Sequence, residues 1–288
     1  MNQHQKQITI QGKLLSFDRP LIMGILNTTP DSFFDGGKYN SESKIVHRAG
    51  EILGQGAAII DVGAYSSRPG ADNISLEQEW QRLEAALKLI RKHHPHAIVS
   101  IDTFRSEIAR RSVENYQADI INDISAGMMD PAMFKTVGKL NVPYILMHMK
   151  GTPRTMQQNI VYQTDIVNEI SLFFSKQVYC LTQNGVKDII LDPGFGFGKT
   201  SEHNFTLMQR LEEFQIHQLP LLVGISRKSM IYKTLNTTAD KSLNGTTVLN
   251  TLAIERGANI LRVHDVKEAI ECINLVEHMK PKKNDLIH

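Results

Sequence analysis

Asp102, Asn122 and Asp192 are short hydrogen-bond acceptors that each close a short apolar run, and Lys228 stands three residues beyond a fourth such run. Together they suit a flat heterocycle that shows several N–H donors along one edge. Asn122 can also donate, and the lysine supplies a charged donor for a ring carbonyl or ring nitrogen. A second set differs in chemistry. Arg68, Arg262 and His264, with Asn27, are cationic or neutral polar groups of the kind that takes phosphate oxygens and one hard cation. The chain reads as a recognition edge beside an anion pocket.

The most informative stretch runs from Ile189 to Lys199. An apolar strand ends in Asp192, and glycines at 194, 196 and 198 alternate with Phe195 and Phe197. The backbone can turn tightly there and approach a ligand with no Cβ between them, while the two phenylalanines offer apolar faces. Gly198-Lys199-Thr200 supplies the last letters of a phosphate-cradling loop. Pro193, however, stands where that loop needs its first glycine, and it has no amide proton to donate. The glycine spacing also fails the dinucleotide fingerprint. Asp192 is therefore the functional group and the glycines are the clearance around it.

Each candidate has a plain structural use as well. Asp102 before Thr103 would cap a helix starting near Arg105, Asn122 with Asp123 would hold a turn, and Lys228 with Arg227 would begin a solvated helix. His148, between two methionines, reads as a structural histidine. No two-histidine helix motif or thiolate cluster marks a zinc site.

The elements that must position these residues repeat one grammar: a short apolar strand, a polar residue at its end, a loop, an amphipathic helix. The strands fall at Leu21 to Leu26, Ala58 to Val62, Ile98 to Ile101, Asp119 to Ile121, Pro143 to Met147, Ile189 to Leu191, Leu221 to Ile225 and Ile260 to Val263. Segments such as Ile166 to Leu181 between them carry apolar residues at helical spacing. Ser75 with Gln78 forms a capping box, and Gly56, Gly185 and Gly257 sit where a left-handed cap would stop a helix. Gly-Ala-Ala-Ile-Ile-Asp at 56, Gln-Ala-Asp-Ile-Ile-Asn at 117 and Gly-Ala-Asn-Ile-Leu-Arg at 257 reuse the same helix-stop-to-strand unit. Eight such units predict a (β/α)8 TIM barrel in one domain, with a doubly wound open sheet as runner-up. All eight strand ends are polar: Asn27, Asp61, Asp102, Asn122, His148, Asp192, Ser226 and Arg262 with His264. A barrel requires that, because its loops share one mouth, whereas an open sheet needs it only near a switch point. Residues 7 to 17 predict an N-terminal β-hairpin with Ile8, Ile10 and Leu14 on one apolar face. Two polar, glycine-containing loops, after Asn27 and after Ala64, read as lids that exclude water.

The composition narrows the class. With 288 residues, 41% hydrophobic and 22% charged, the chain is globular and large enough to bury about 75% of its unfolded surface. A net charge of +2 without basic blocks excludes nucleic acid as the main partner. No apolar run approaches membrane-spanning length and the first residues lack a signal-peptide core, so a cytoplasmic location is expected. Cys180 and Cys272 fall on helices and are expected to be buried thiols, not a disulfide.

A resemblance covers residues 20 to 280. Met23-Gly-Ile-Leu-Asn-Thr-Thr-Pro-Asp-Ser-Phe33, Ser67-Arg-Pro-Gly-Ala71, Ile121-Asn-Asp-Ile124, Leu146-Met-His-Met149, Asp192-Pro-Gly-Phe-Gly-Phe-Gly-Lys199, Gly224-Ile-Ser-Arg-Lys-Ser-Met-Ile231 and Arg262-Val-His-Asp-Val266 resemble, in the same order, the motifs of dihydropteroate synthases. The resemblance implies a transferase that joins 6-hydroxymethyl-7,8-dihydropterin diphosphate to 4-aminobenzoate. It implies a pterin pocket at Asp102, Asn122, Asp192, Lys228 and Arg262, with Asp102 and Lys228 catalytic. It further implies a diphosphate site at Asn27, Arg68, Arg262 and His264, Mg2+ at Asn27, an aminobenzoate site at Ser67, Arg68, Phe197, Ser226 and Lys228, and a homodimer. Ala64-Tyr65-Ser66-Ser67 departs from the family's usual Gly-Glu-Ser-Thr. Methyltetrahydrofolate:corrinoid methyltransferases resemble the chain around Asp102, Asn122 and Asp192, and a non-catalytic pterin-binding paralogue is the third reading.

Overall fold

The computed structural model describes residues 7–28, 38–65, 74–153, 155–156 and 160–280. Ser67 and Arg68, and residues 29–37 of the first expected lid, lie outside the described residues.

Strands β3 (Leu21–Asn27), β4 (Ile59–Gly63), β5 (Ile98–Asp102), β6 (Ile120–Asp123), β7 (Tyr144–Met147), β8 (Ile189–Asp192), β9 (Leu222–Val223) and β10 (Ile260–Val263) form one parallel sheet. Its order is β8-β7-β6-β5-β4-β3-β10-β9, and a bridge between Leu191 and Leu221 joins its two edges. The sheet is thus a barrel and not an open, doubly wound sheet. Helices α1 (Lys38–Gly54), α2 (Leu76–His93), α3 (Ser106–Tyr116), α4 (Met133–Leu140), α5 (Ile166–Gln183), α6 (Ser201–Gln209), α7 (Ser229–Thr234), α8 (Leu243–Glu255) and α9 (Val266–Met279) surround it. The Ser75–Gln78 capping box is present, and Gly56, Gly185 and Gly257 have φ of 100°, 86° and 89°.

Side chains alternate along each strand, so the barrel has two separate apolar layers. Ile22, Ile60, Val99, Ile121, Leu146, Leu191, Val223 and Leu261 point outward into the core shared with the helices. Met23, Ile59, Ile120, Ile145, Ile190, Leu222 and Ile260, with Ile98 beside them, point inward and fill the lower end of the barrel.

The hairpin of β1 (Gln7–Ile10) and β2 (Lys13–Ser16) plugs that end with Ile8, Ile10 and Phe17. Leu14 does not join them; it is 66% exposed. Gln11 and Gly12, both at positive φ, make a two-residue turn that fixes the register. That register sets Leu15 opposite Ile8 and leaves Leu14 opposite Thr9 on the solvent face. The thiols correct a second expectation: both are free and Cys272 is buried, but Cys180 is exposed. It lies one residue, about 100°, away from the Ile170, Phe174 and Leu181 stripe that α5 buries.

Ile8→Ala removes a buried plug residue and should lower unfolding stability by about 2–5 kcal/mol in chemical denaturation. Leu14→Ala should change it by no more than about 0.5 kcal/mol. Equal effects would contradict this register.

Candidate active site

Above the apolar floor the same inward positions turn polar. Strand pairing sets Asp61 beside Ser100, and one layer higher sets Gly63 beside Asp102 and Asp102 beside Asn122. Arg262 reaches across this space from β10. Its Nε donates to Asp61 Oδ2 at 2.6 Å and its Nη2 to Asp102 Oδ2 at 2.6 Å. Asn122 Nδ2 donates to the same Asp61 oxygen at 3.2 Å. Asp61 is fully buried, and its Oδ1, like Ser100 Oγ, has no hydrogen-bond partner among the described residues.

The electrostatics follow from burial. Loss of water pushes the Asp102 carboxyl up to about 7 despite the Arg262 guanidinium, with Asp61 adding repulsion. Burial likewise raises Asp192, opposed chiefly by Lys228, and Gly194 N–H donates to its Oδ1 at 2.7 Å. Burial lowers the Lys228 ammonium to about 8 against the pull of Asp192. Lys228 Nζ donates to Phe195 O and stands 4.7 Å from the centre of the Phe197 ring. Phe197 packs with Ile124, Met147, Met149, Met156 and Met129 as an apolar wall.

At the opposite side of the mouth, Asn27 pairs in register with Gly63. A Cβ at Gly63 would lie 3.3 Å from Asp102 Cβ and 3.5 Å from Asn27 Oδ1, so the amide oxygen and the carboxylate flank one bare stretch of backbone. Ser226 Oγ lies 3.0 Å from His264 Nδ1 and accepts the His264 backbone N–H at 3.2 Å. Asn27, Asp102, Asn122, Asp192, Phe197, Ser226, Lys228, Arg262 and His264 therefore all belong to the C-terminal end of one barrel.

The plainer readings separate residue by residue. Asp102 caps no helix; α3 begins after Arg105, and Asp130 Oδ2 accepts the Ser106 N–H at 2.7 Å. Asp123 does hold the turn, accepting from Ser125 N, Gly127 N and Tyr144 Oη, whereas Asn122 faces inward. Lys228 does precede α7, yet its ammonium turns into the site. His148 is structural: it is buried against Phe173, and burial holds its imidazole well below the usual range.

Two expectations about the glycine stretch need correcting. Phe195 offers no face to a ligand, because it is fully buried in the outer core. The glycines clear space mainly for the neighbouring loop: a Cβ at Gly194 would meet His148 O at 2.0 Å, and one at Gly198 would meet Lys150 O at 2.4 Å. Lys199, set aside with the rejected phosphate loop, turns out to be the staple of this segment. Its buried Nζ donates to Gly194 O at 2.9 Å, Phe197 O at 3.0 Å and His148 O at 3.2 Å. Asp61 was visible as a polar strand residue without a role; its signal was a carboxylate at an inward position two residues before the strand end.

The chain matches a family model described as pterin binding enzyme over residues 23–264. It is 43% identical over 269 residues to the dihydropteroate synthase of Escherichia coli K12, covering 93% of this chain and 94% of that one. The Yersinia pestis dihydropteroate synthase in a sulfonamide drug complex superposes with a TM-score of 0.87 at 37% identity, over 94% of this chain and 98% of the other. The Xanthomonas albilineans dihydropteroate synthase with 4-aminobenzoic acid gives 0.86 at 31% identity, over 96% of this chain and 100% of the other. With the barrel, its polar mouth and these likenesses agreeing, the chain belongs to the pterin-binding enzyme family, among its dihydropteroate synthases.

Proposed function

We propose that the residues at the barrel mouth divide the dihydropteroate synthase reaction among three neighbouring subsites. That reaction joins the exocyclic CH2 of 6-hydroxymethyl-7,8-dihydropterin diphosphate to the amine of 4-aminobenzoate, gives 7,8-dihydropteroate and releases diphosphate in folate biosynthesis. The pterin ring is assigned to Asp102, Asn122, Asp192 and Lys228, with Arg262 against its face. The observation that carries this assignment is the span of Arg262 across Asp61 and Asp102, which holds acceptors and a donor around one slot. Asp192 accepts ring N–H groups, and Lys228 donates to a ring oxygen or nitrogen.

The diphosphate is assigned to Asn27, Arg262 and His264, joined by Arg68 from outside the described residues. Aminobenzoate is assigned to Phe197, Ser226 and Lys228 with Ser67 and Arg68, Ser226 already sharing its hydroxyl with His264. The donor set near Asn27 suits Mg2+ that arrives with the diphosphate. Such an ion keeps waters and phosphate oxygens as most of its ligands, so one amide oxygen from the chain is sufficient. When bound, Mg2+ would supply charge neutralisation for the leaving diphosphate. The chain's own part is to hold the ring, keep anionic Asp102 beside the cation that develops on it, and present the apolar Phe197 wall to the incoming arylamine. The arylamine is nucleophilic when neutral, so no strong base is required.

Small-molecule partners, a cytoplasmic location and a homodimer complete the proposal. No described helix is long and apolar enough to cross a membrane. The adjoining helices α8 and α9 each expose an apolar i, i+4 pair, Val248 with Leu252 and Leu275 with Met279, which supports contact with a second copy.

Purified protein should form dihydropteroate from the two substrates only with Mg2+, and Asp102→Asn should lower kcat by roughly 10²–10³. An unchanged kcat in that variant would remove Asp102 from the chemistry. Activity should rise with pH through about 7 as Asp102 loses its proton and fall above about 8 as Lys228 loses its own. Lys228→Arg should flatten the falling limb in whatever activity remains. A wild-type profile that is level from pH 6 to 9 would refute both roles.

A further inference from the structure

Ser226 is 5% exposed, and in the absence of substrate its hydroxyl finds its partners on His264. A serine hydroxyl has one proton to give and two positions at which to accept. One accepting position is filled by the His264 backbone N–H at 3.2 Å, and the imidazole Nδ1 lies 3.0 Å away. Among the described residues Nδ1 is the only acceptor within hydrogen-bond reach of the Ser226 proton. The Ser226 O–H therefore donates to Nδ1, which must be unprotonated, and the neutral ring carries its proton on Nε2. The opposite tautomer would direct two N–H donors at one oxygen and leave a buried hydroxyl proton without an acceptor.

We propose that Ser226 is a positioning residue that fixes His264 as its Nε2–H tautomer, so that the imidazole meets the departing diphosphate as a neutral hydrogen-bond donor. This rests on the assignment of His264 to the diphosphate subsite. The surroundings keep the pair from drifting apart. Arg227, at φ 57°, donates to Asp265 at 2.9 Å and 2.5 Å, which ties the loop carrying Ser226 to the loop carrying His264. Arg227 N–H donates to Thr246 Oγ1 at 3.1 Å, and Arg48 Nη2 donates to His264 O at 2.7 Å. Four elements thus hold a single serine–histidine contact. A histidine in both tautomers carries an Nε2 donor in only part of the molecules; one locked with the proton on Nε2 carries it in all of them.

The test is nitrogen-15 NMR of the full chain labelled at histidine, with His264→Gln assigning the resonances. At pH 8 the wild type should show Nδ1 as an acceptor and Nε2 as protonated. Ser226→Ala should lose that pattern toward a mixture, and Ser226→Thr, which keeps the hydroxyl, should retain it. Inorganic diphosphate should shift the Nε2 resonance of the wild type and bind Ser226→Ala at least threefold more weakly. A wild-type ring protonated on Nδ1, or a Ser226→Ala spectrum unchanged in tautomer, overturns the proposal. The expected tautomer with no response of Nε2 to diphosphate instead sinks the diphosphate assignment beneath it.

Discussion

One arginine governs the centre of this barrel. Arg262 spans Asp61 and Asp102 with two 2.6 Å hydrogen bonds in a space largely shut off from water. Without it, both carboxylates would lose their shared cationic partner. Its presence fixes the direction of Asp102 and, through Asp61, that of Asn122. The balance is incomplete by design of the site: Asp102 remains far more basic than an ordinary carboxylate, poised for a positive partner that the protein itself does not supply. Under the proposed pterin assignment, a ring that becomes cationic during reaction is such a partner.

The rest of the fold can be understood as support for that pairing. Outward-facing strand residues bind the barrel to its helices, and inward-facing residues split into an apolar floor and a polar mouth. The glycine stretch after Asp192 does not simply open room for a ligand. It is wound tightly around the Lys199 ammonium and pressed on the His148–Lys150 backbone, so Asp192, Phe197 and Lys228 share a rigid wall. Burial there pushes the Lys199 ammonium well below its usual range.

Strands, helix stops and most polar strand ends were legible in the sequence because their signals are local: apolar runs, capping residues, a side chain after a strand. Asp102, Asn122, Asp192 and Lys228 followed from position alone once eight units closed a ring. What sequence could not give depends on contacts between distant segments. Asp61 needed the β4–β5 register to be seen one layer below Asp102. Phe195 and Phe197 alternate alike in the sequence, and only the path of the loop sends one into the core and leaves the other at the mouth. Leu14 differs from its expected face by one register step, since a turn with two left-handed residues decides which of two adjacent leucines faces the barrel.

The hairpin that seals the floor has a consequence for traffic. With Ile8, Ile10 and Phe17 seated across the lower end, the described barrel is closed at its floor and is entered from its C-terminal mouth. Under the proposed assignment, the ring that occupies the deepest shelf, beside Asn122 and Asp192, shares that mouth with whatever rests at the rim. Depth in the barrel, and not only side-chain chemistry, then separates the two substrates.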